Sequence, residues 1–442
     1  MKKLAVFFAM LAVGGAAAGE KIDQFFAAGK DAAKKTLSAD MVYPLGKRFP
    51  FGFYSTGGGS LNRRGELLPA AEKDADQKAI FDAGATFIAP QYELNKEILE
   101  TAEKYNVQCA YTIYGYIGDE PIHKKIIRDL HRRTPPVDWA AVKESVVKQV
   151  KIFANDKRIA YWNVTPEELR HWRVDEMKYL QTVSEAIHEA DPMKRPVFMY
   201  EPGHRSGTAL AKTFIYQDMG VKGTYTNYSG FKDKRVWVRY SIQAIADGIK
   251  LANRPHMVLC MLPEMFRQPE EQDLKLIPSW VRHDVYCAIA NGAKAVMVFS
   301  GSKRPKFPAW QQYRDEYLKV CRELTGNSEL GQAILFGKVM DDLSCEVIEG
   351  EKEQTIYDRG LKKDIALPTL SFRNLAYGNT RYLILVNSAN TPVKAVVDDL
   401  PYSARMTVKN IFSDEPEMVV PEGNFEVDLA PLGVAVFKVF AK

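Results

Sequence analysis

Two stretches of this chain carry residues suited to proton transfer. Trp162-Asn163-Val164-Thr165-Pro166-Glu167-Glu168 and Leu259-Cys260-Met261-Leu262-Pro263-Glu264 are apolar, strand-like runs that each stop at a Pro-Glu step. Proline restricts the residue before it to extended backbone, so the strand ends there and the carboxylate follows at once. Counted along the chain, the two runs end the fourth and seventh of eight strand–helix units. Carboxylates at those ends of a closed barrel would share one pocket, an arrangement suited to acid-assisted cleavage of a glycosidic bond. The expected catalytic pair is Glu167 and Glu264, with Glu168 and Glu201 as alternates. Glu168 adjoins Glu167, and Glu201 ends the fifth strand within Tyr200-Glu201-Pro202-Gly203-His204-Arg205.

Around these carboxylates the same strand-end rule gathers groups that bind sugars. Aromatic faces stack on the C–H side of pyranose rings, and amides bind hydroxyls. Tyr54, Tyr92, Tyr114, Asn163, Trp172, Tyr200, Asn227, Tyr228 and Trp280 are the expected binding residues, with Gln91 and Asp119 beside them. His204 and Arg205 add cationic groups that would tune the acid or bind a carboxylated sugar. Ser55-Thr56-Gly57-Gly58-Gly59-Ser60 lacks the Lys and Ser/Thr of a phosphate-binding loop. No HExxH, H-x-H or EF-hand pattern is present, so neither a metal nor another cofactor is expected.

The elements that must position these residues are legible as alternation. From Phe49, short apolar runs alternate with amphipathic helical stretches, eight times in about 280 residues. That pattern predicts a parallel sheet closed as a barrel, with an open doubly wound sheet as the competitor. Connections from helix to strand are tight, as in Ala83-Gly84-Ala85 and Ala290-Asn291-Gly292. Connections from strand to helix are long, as in residues 115–137 and 263–277. The site is therefore expected at the long-loop end. After Gly326 the period changes to two, and six strands between Thr369 and Phe440 read as an antiparallel sandwich. The fold class is α/β: a (β/α)8 TIM barrel followed by a small antiparallel β-sandwich. The expected divisions are 1–18, 19–48, 49–330 and 335–442. Residues 19–48 hold an alanine-rich helix expected against the outside or base of the barrel.

Lys2-Lys3, the apolar run Leu4 to Val13 and Ala16-Ala17-Ala18 read as a signal peptide cleaved after Ala18. The expectation is an exported protein, periplasmic or secreted, with no membrane insertion after cleavage. The net charge is only +5 and no basic stripe occurs, which speaks against nucleic acid. The partner expected is a carbohydrate. The five cysteines show no zinc spacing and read as buried thiols, with one disulfide left open.

The eight-unit barrel with Glu at the ends of strands four and seven resembles the clan A, or four-seven, glycoside hydrolases. Tyr382-Leu383-Ile384-Leu385-Val386-Asn387 and Leu432-Gly433-Val434-Ala435-Val436-Phe437 look like strands of the C-terminal domain many such enzymes carry. The resemblance implies that Glu167 is the acid/base, that Glu264 is the nucleophile, and that configuration is retained. Pro166 stands where the clan usually has Asn, and Asn163 lies three residues earlier.

Overall fold

The computed structural model describes residues 20–34, 48–54, 70–90, 95–122, 126, 136–301, 303, 306–326, 329–358 and 362–442. The expected leader, the Ser55–Ser60 loop, Gln91 and Tyr92 lie outside the described residues. Among the described residues no helix is long and apolar enough to cross a membrane.

Eight staves form the barrel: β1 (Phe51–Phe53), β2 (Phe87–Ile88), β3 (Gln108–Ile113), β4 (Ile159–Val164), β5 in two pieces (Val197–Phe198 and Tyr200–Glu201), β6 (Met219–Thr224), β7 (Val258–Pro263) and β8 (Ala295–Val298). All neighbouring staves pair in parallel, and β1 pairs with β8. Closure is made by β5. Its first piece pairs with β4 (Trp162↔Val197), and its second, beyond Met199, pairs with β6 (Glu201↔Lys222). Side chains alternate between lumen and helix layer, as strand geometry requires. Tyr161 meets Phe87 and Phe198 inside, with ring centroids 5.2 and 6.5 Å apart. Its neighbour Trp162 faces out, donates to Asp191 Oδ2 at 2.8 Å and carries the Arg195 guanidinium 4.5 Å above its ring. Gly52 admits this packing, because a Cβ there would lie 2.6 Å from the Phe87 ring.

The helices are α1 (Ala70–Asp82), α2 (Asn95–Lys104), α3 (Trp139–Ile152), α4 (Val174–Ala190), α5 (Gly207–Phe214), α6 (Val236–Leu251), α7 (Ile277–Ala290) and α8 (Trp310–Thr325). Local chemistry starts several of them. Asp138 accepts from the Ala140 and Ala141 N–H groups at the head of α3, and Pro278 sits in the first turn of α7. The helix α5 ends at Phe214, short of the turn that leads into the next stave. Met219 already belongs to β6, and the Asp218 N–H donates to Val197 O at 2.7 Å.

A short helix α9 (Leu330–Phe336) leads to the C-terminal domain. Its strands are β9 (Lys338–Met340), β10 (Ser344–Glu349), β11 (Glu353–Asp358), β12 (Lys363–Pro368), β13 (Leu370–Tyr377), β14 (Thr380–Asn387), β15 (Val393–Asp398), β16 (Met406–Asn410), β17 (Met418–Val419), β18 (Phe425–Leu429) and β19 (Val434–Ala441). One sheet runs β9-β13-β14-β19-β16-β17 and the facing sheet β10-β15-β18. Leu383, Leu385, Val397, Val427 and Phe437 fill the space between them. The β11–β12 hairpin stands apart as its own two-stranded sheet.

The helix of residues 20–34 bridges two cores. Ile22, Phe25 and Phe26 enter the sandwich core, while Ala32 joins the larger cluster that includes the barrel staves. Arg381 Nε donates to Phe25 O at 3.0 Å, and the Gly378 N–H donates to Gly29 O at 2.8 Å. The described cysteines are all free thiols: Cys109, Cys260, Cys287 and Cys321 buried, Cys345 half-buried.

Candidate functional site

A cleft of about 870 Å³ opens at the C-terminal ends of β4, β5, β6, β7 and β8, the end where long connections were expected. Glu167 and Glu168 form one wall. Tyr200, Tyr225, Phe266 and Phe299 line the mouth of the barrel, and Tyr228, Trp237 and Tyr240 also line the cleft. The aromatic groups support one another. Tyr200 and Tyr225 stack at 6.3 Å, and Phe266 stands edge-on to Tyr225 at 5.0 Å. Such a concave, largely aromatic surface with a few carboxylates suits a polyhydroxylated ligand with flat apolar faces.

The Glu167–Glu168 wall is held from behind. Both carboxylates are exposed, and Glu168 takes a left-handed backbone (φ +65°). Its N–H donates to Tyr200 O at 3.2 Å, and its carbonyl accepts from Arg205 Nη2 at 3.0 Å. Arg205 also donates to Leu169 O and is ion-paired with Glu201. Glu201 in turn accepts from Thr213 Oγ1 at 2.6 Å and Gln217 Nε2 at 2.8 Å. This corrects two expectations. Glu201 is fully buried on the helix side of β5, because its neighbour Tyr200 takes the mouth side. It cannot stand in for a catalytic carboxylate at the rim. Arg205 lines the cleft, yet its guanidinium is spent on fastening the loop after β4, so it positions that loop rather than offering its charge to a sugar.

Glu264 sits one layer beneath the cleft surface. Its Oε1 accepts from the Asn227 N–H at 2.5 Å and its Oε2 from the Tyr228 N–H at 3.0 Å. Its backbone pairs with Phe299. The side chain is 6% exposed, and burial pushes its pKa up to about 7 against the two N–H donors and Arg235, which pull it down. Glu264 thus pins the loop after β6 from inside, and the cleft is lined by its partners Tyr228 and Phe299 instead.

Of the expected binding residues, Tyr200, His204 and Tyr228 line the cleft together with Arg205. Asn227 is a structural joint: its Oδ1 accepts from Arg235 Nη1 at 2.9 Å and its Nδ2 donates to Tyr313 Oη at 3.2 Å. Trp280 is buried under the Arg235 guanidinium, 4.9 Å from its ring. Tyr54 is buried against Phe299. Asn163 is buried in the lumen and donates to Thr112 Oγ1 at 3.3 Å. Tyr114 packs beside Tyr116, and Trp172 is exposed against His171, both outside the cleft lining. Asp119 is exposed at a hairpin turn, likewise away from it.

Several lining residues were not anticipated. Tyr225, Phe266 and Phe299 follow strand ends, so the strand-end rule contained them. Lys222 had no such signal. It is buried within β6, donates to Ser241 Oγ at 2.6 Å, lies 5.4 Å over the Trp237 ring and lines the cleft. Burial brings its pKa down to about 7.

One further constellation has catalytic distances without access. Ser388 Oγ lies 2.9 Å from His283 Nε2, and His283 Nδ1 lies 2.9 Å from Asp284 Oδ1. All three are buried where α7 meets the sandwich, and Asp284 is paired with Arg235. This Ser–His–Asp chain ties the domains together, and none of its members lines the cleft. Among the described residues no cluster of His, Cys, Asp or Glu is arranged to hold a metal ion.

No protein-family model matches the chain, and no curated protein matches it either. Solved structures do. An Anoxybacillus alpha-amylase superposes with a TM-score of 0.55 at 8% identity, over 90% of this chain and 98% of its own. AmyP in complex with maltose gives 0.52 at 8% identity, over 90% and 97%. A GH27 β-L-arabinopyranosidase from Geobacillus stearothermophilus gives 0.51 at 10% identity, over 91% and 98%. The likeness runs through both the barrel and the C-terminal domain, and at these identities it is a likeness of fold: a (β/α)8 barrel with a C-terminal β-domain.

Proposed function

We propose that this protein is a glycoside hydrolase that cleaves a poly- or oligosaccharide in the cleft at the C-terminal ends of the barrel strands. The observation that carries the reading is the aromatic-lined hollow whose wall presents Glu167 and Glu168. Its architecture is shared by alpha-amylases and an arabinopyranosidase, which supports the reading without deciding the chemistry. Glycosidic hydrolysis needs one carboxyl to protonate the leaving oxygen and another to attack or to activate water. The carboxylates that the cleft presents for those roles are Glu167 and its neighbour Glu168 at the open wall. Glu264, beneath the cleft with both oxygens held by backbone N–H groups, positions the loop after β6 instead. This departs from the roles implied by the clan resemblance.

The test is a panel of aryl glycosides and plant, algal and host glycans with wild type, Glu167→Gln, Glu168→Gln and Glu264→Gln. Loss of turnover in Glu167→Gln with affinity retained supports hydrolysis at this wall. Full activity in both Glu167→Gln and Glu168→Gln refutes it. The anomer released first, read by NMR, distinguishes retention from inversion.

A second reading is a glycan-binding barrel without turnover. It is favoured by one observation: both Glu264 oxygens are already engaged by backbone N–H groups, so the exposed carboxylates of the proposed pair stand at a single strand end. In that case Glu167→Gln changes little, and no glycan in the panel is cut. The N-terminal Lys-Lys, apolar and Ala-Ala-Ala pattern supports export to the periplasm or medium, and the N-terminus of protein recovered there would begin at Gly19.

A further inference from the structure

The cleft is not built by the barrel alone. Tyr357 and Asp358, at the end of β11 in the C-terminal domain, line it together with Glu167 and Glu168. The β11–β12 hairpin leaves the sandwich to reach this place. Its residues alternate as a strand's should: Gln354 and Ile356 are buried, while Thr355 and Tyr357 are exposed. Ile356 is 1% exposed and joins Val236 and Trp237 of α6 in a separate apolar cluster, to which Ile365 and Leu367 of β12 add. Lys234 Nζ, just before α6, donates to Thr355 O at 2.7 Å. The hairpin is therefore clamped to the first turns of α6 at Ile356, one residue before Tyr357. Trp237 is itself fixed, stacked on Phe231 at 4.6 Å and 13°.

This anchoring leaves one large ring in the open. Tyr357 is 52% exposed although it stands in a lined cleft on a fixed strand. A packing role does not account for it, since Ile356 performs the packing. An exposed aromatic ring beside a carboxylate, on a rigid support facing a concave surface, is the arrangement that holds a sugar ring: the π-face meets the C–H side and the carboxylate accepts from hydroxyls. The volume of about 870 Å³ is near the upper end of the ~300–1,000 Å³ usual for ligand pockets, which leaves room for more than one sugar unit.

We infer that Tyr357 and Asp358 form a saccharide subsite supplied by the C-terminal domain, which binds units of the chain remote from Glu167 and makes recognition a two-domain property. The inference rests on the carbohydrate reading of the cleft, but not on turnover. The subsite makes affinity depend on chain length. On this inference a disaccharide occupies the Glu167 wall alone, and a longer oligosaccharide engages Tyr357 as well.

The experiment is titration calorimetry with maltose, cellobiose and xylobiose and the corresponding hexasaccharides, on full-length wild type, Tyr357→Ala, Asp358→Asn and Tyr357→Trp, with melting curves for each. For whichever hexasaccharide binds, Tyr357→Ala is expected to weaken affinity about tenfold, on the order of one stacked ring. Asp358→Asn weakens it less, Tyr357→Trp restores it, and disaccharide affinity is unchanged throughout. Equal loss for both lengths, or none for the hexasaccharide, overturns the subsite. A wild type that binds without cutting leaves the subsite standing on its affinities and removes the hydrolase reading. A wild type that binds none of the six probes removes both.

Discussion

The ends of β4 and β7 look alike in sequence and differ in the fold. Each is an apolar strand stopped by Pro-Glu. After β4 the carboxylates of Glu167 and Glu168 stand in the open cleft, while the backbone behind them is gripped by Arg205. After β7 the arrangement is inverted: the Glu264 carboxylate is drawn inside and does the gripping, holding the Asn227 and Tyr228 N–H groups. One motif thus yields an exposed acid on a buried brace and a buried acid that is itself a brace. The lesson is that a strand-end carboxylate marks the active face of a barrel, but which partner satisfies its oxygens decides what it does.

The largest expected effects set the two ends apart by turnover. Glu167→Gln should lower kcat by about 10²–10⁴ with little change in melting temperature, as loss of a positioned proton-transfer group or nucleophile does. Glu264→Gln should lower kcat and also destabilise, because an amide NH2 would face one of two backbone donors. A Glu264→Gln protein as stable as wild type would break the contrast. Next in size is the brace behind β4. Glu201→Ala leaves Arg205 charged and unpaired in the interior, which costs about 3–5 kcal/mol, measurable by urea unfolding. Because Arg205 also holds the Glu168 carbonyl, Arg205→Lys should lower kcat more than it raises KM for short substrates.

A smaller effect separates the two buried groups by pH. Glu264 has its pKa raised to about 7, so its contribution is full below about pH 4.5 and fades as pH rises through about 7. Lys222 has its pKa lowered to about 7, so its contribution is present above about pH 10.5 and fades as pH falls through about 7. Melting temperature against pH should therefore carry a shallow dip near neutrality from these two groups. Lys222→Met should raise stability most below pH 7 and progressively less toward pH 10, removing the alkaline limb. A pH-independent gain would place the lysine's charge elsewhere. Smallest of all, Trp172→Ala should leave both activity and stability within error, since its ring is 63% exposed and outside the cleft lining.

Much of the architecture was legible because burial on both faces makes parallel strands apolar, and amphipathic helices alternate with them. The long-loop end marked the face that carries the cleft without any motif. Six of the seven strands between Leu370 and Ala441 were visible through period-two patterning; the two-residue β17 was not. The β11–β12 hairpin was not. Glu353-Gln354-Thr355-Ile356-Tyr357-Asp358 offers few apolar residues because it rests on α6 and not in the sandwich core. Side-chain direction was the other gap. In β5 the sequence shows Tyr200 next to Glu201 but not which of them faces the mouth, and the inversion of that choice moves a carboxylate from rim to brace. Asn227 and Trp280 have binding chemistry but are consumed by Arg235, a partner distant in sequence from Trp280 and hidden from local patterns.

The helix of residues 20–34 precedes the barrel in the chain, yet Phe25 is fastened to Arg381, 356 residues later. Its apolar face has no permanent seat until the hairpin that carries Gly378 and Arg381 has been synthesised. The barrel staves can associate in order of emergence, but this helix must wait for the last domain to assemble. Closing so long a loop carries an entropic penalty that grows only slowly with length, so the cost is mainly one of time and not of final stability. Refolding from denaturant should accordingly show the helix docking with the C-terminal strands in the same kinetic phase, and a fluorophore pair at those two places would report the last event in the life of the nascent chain.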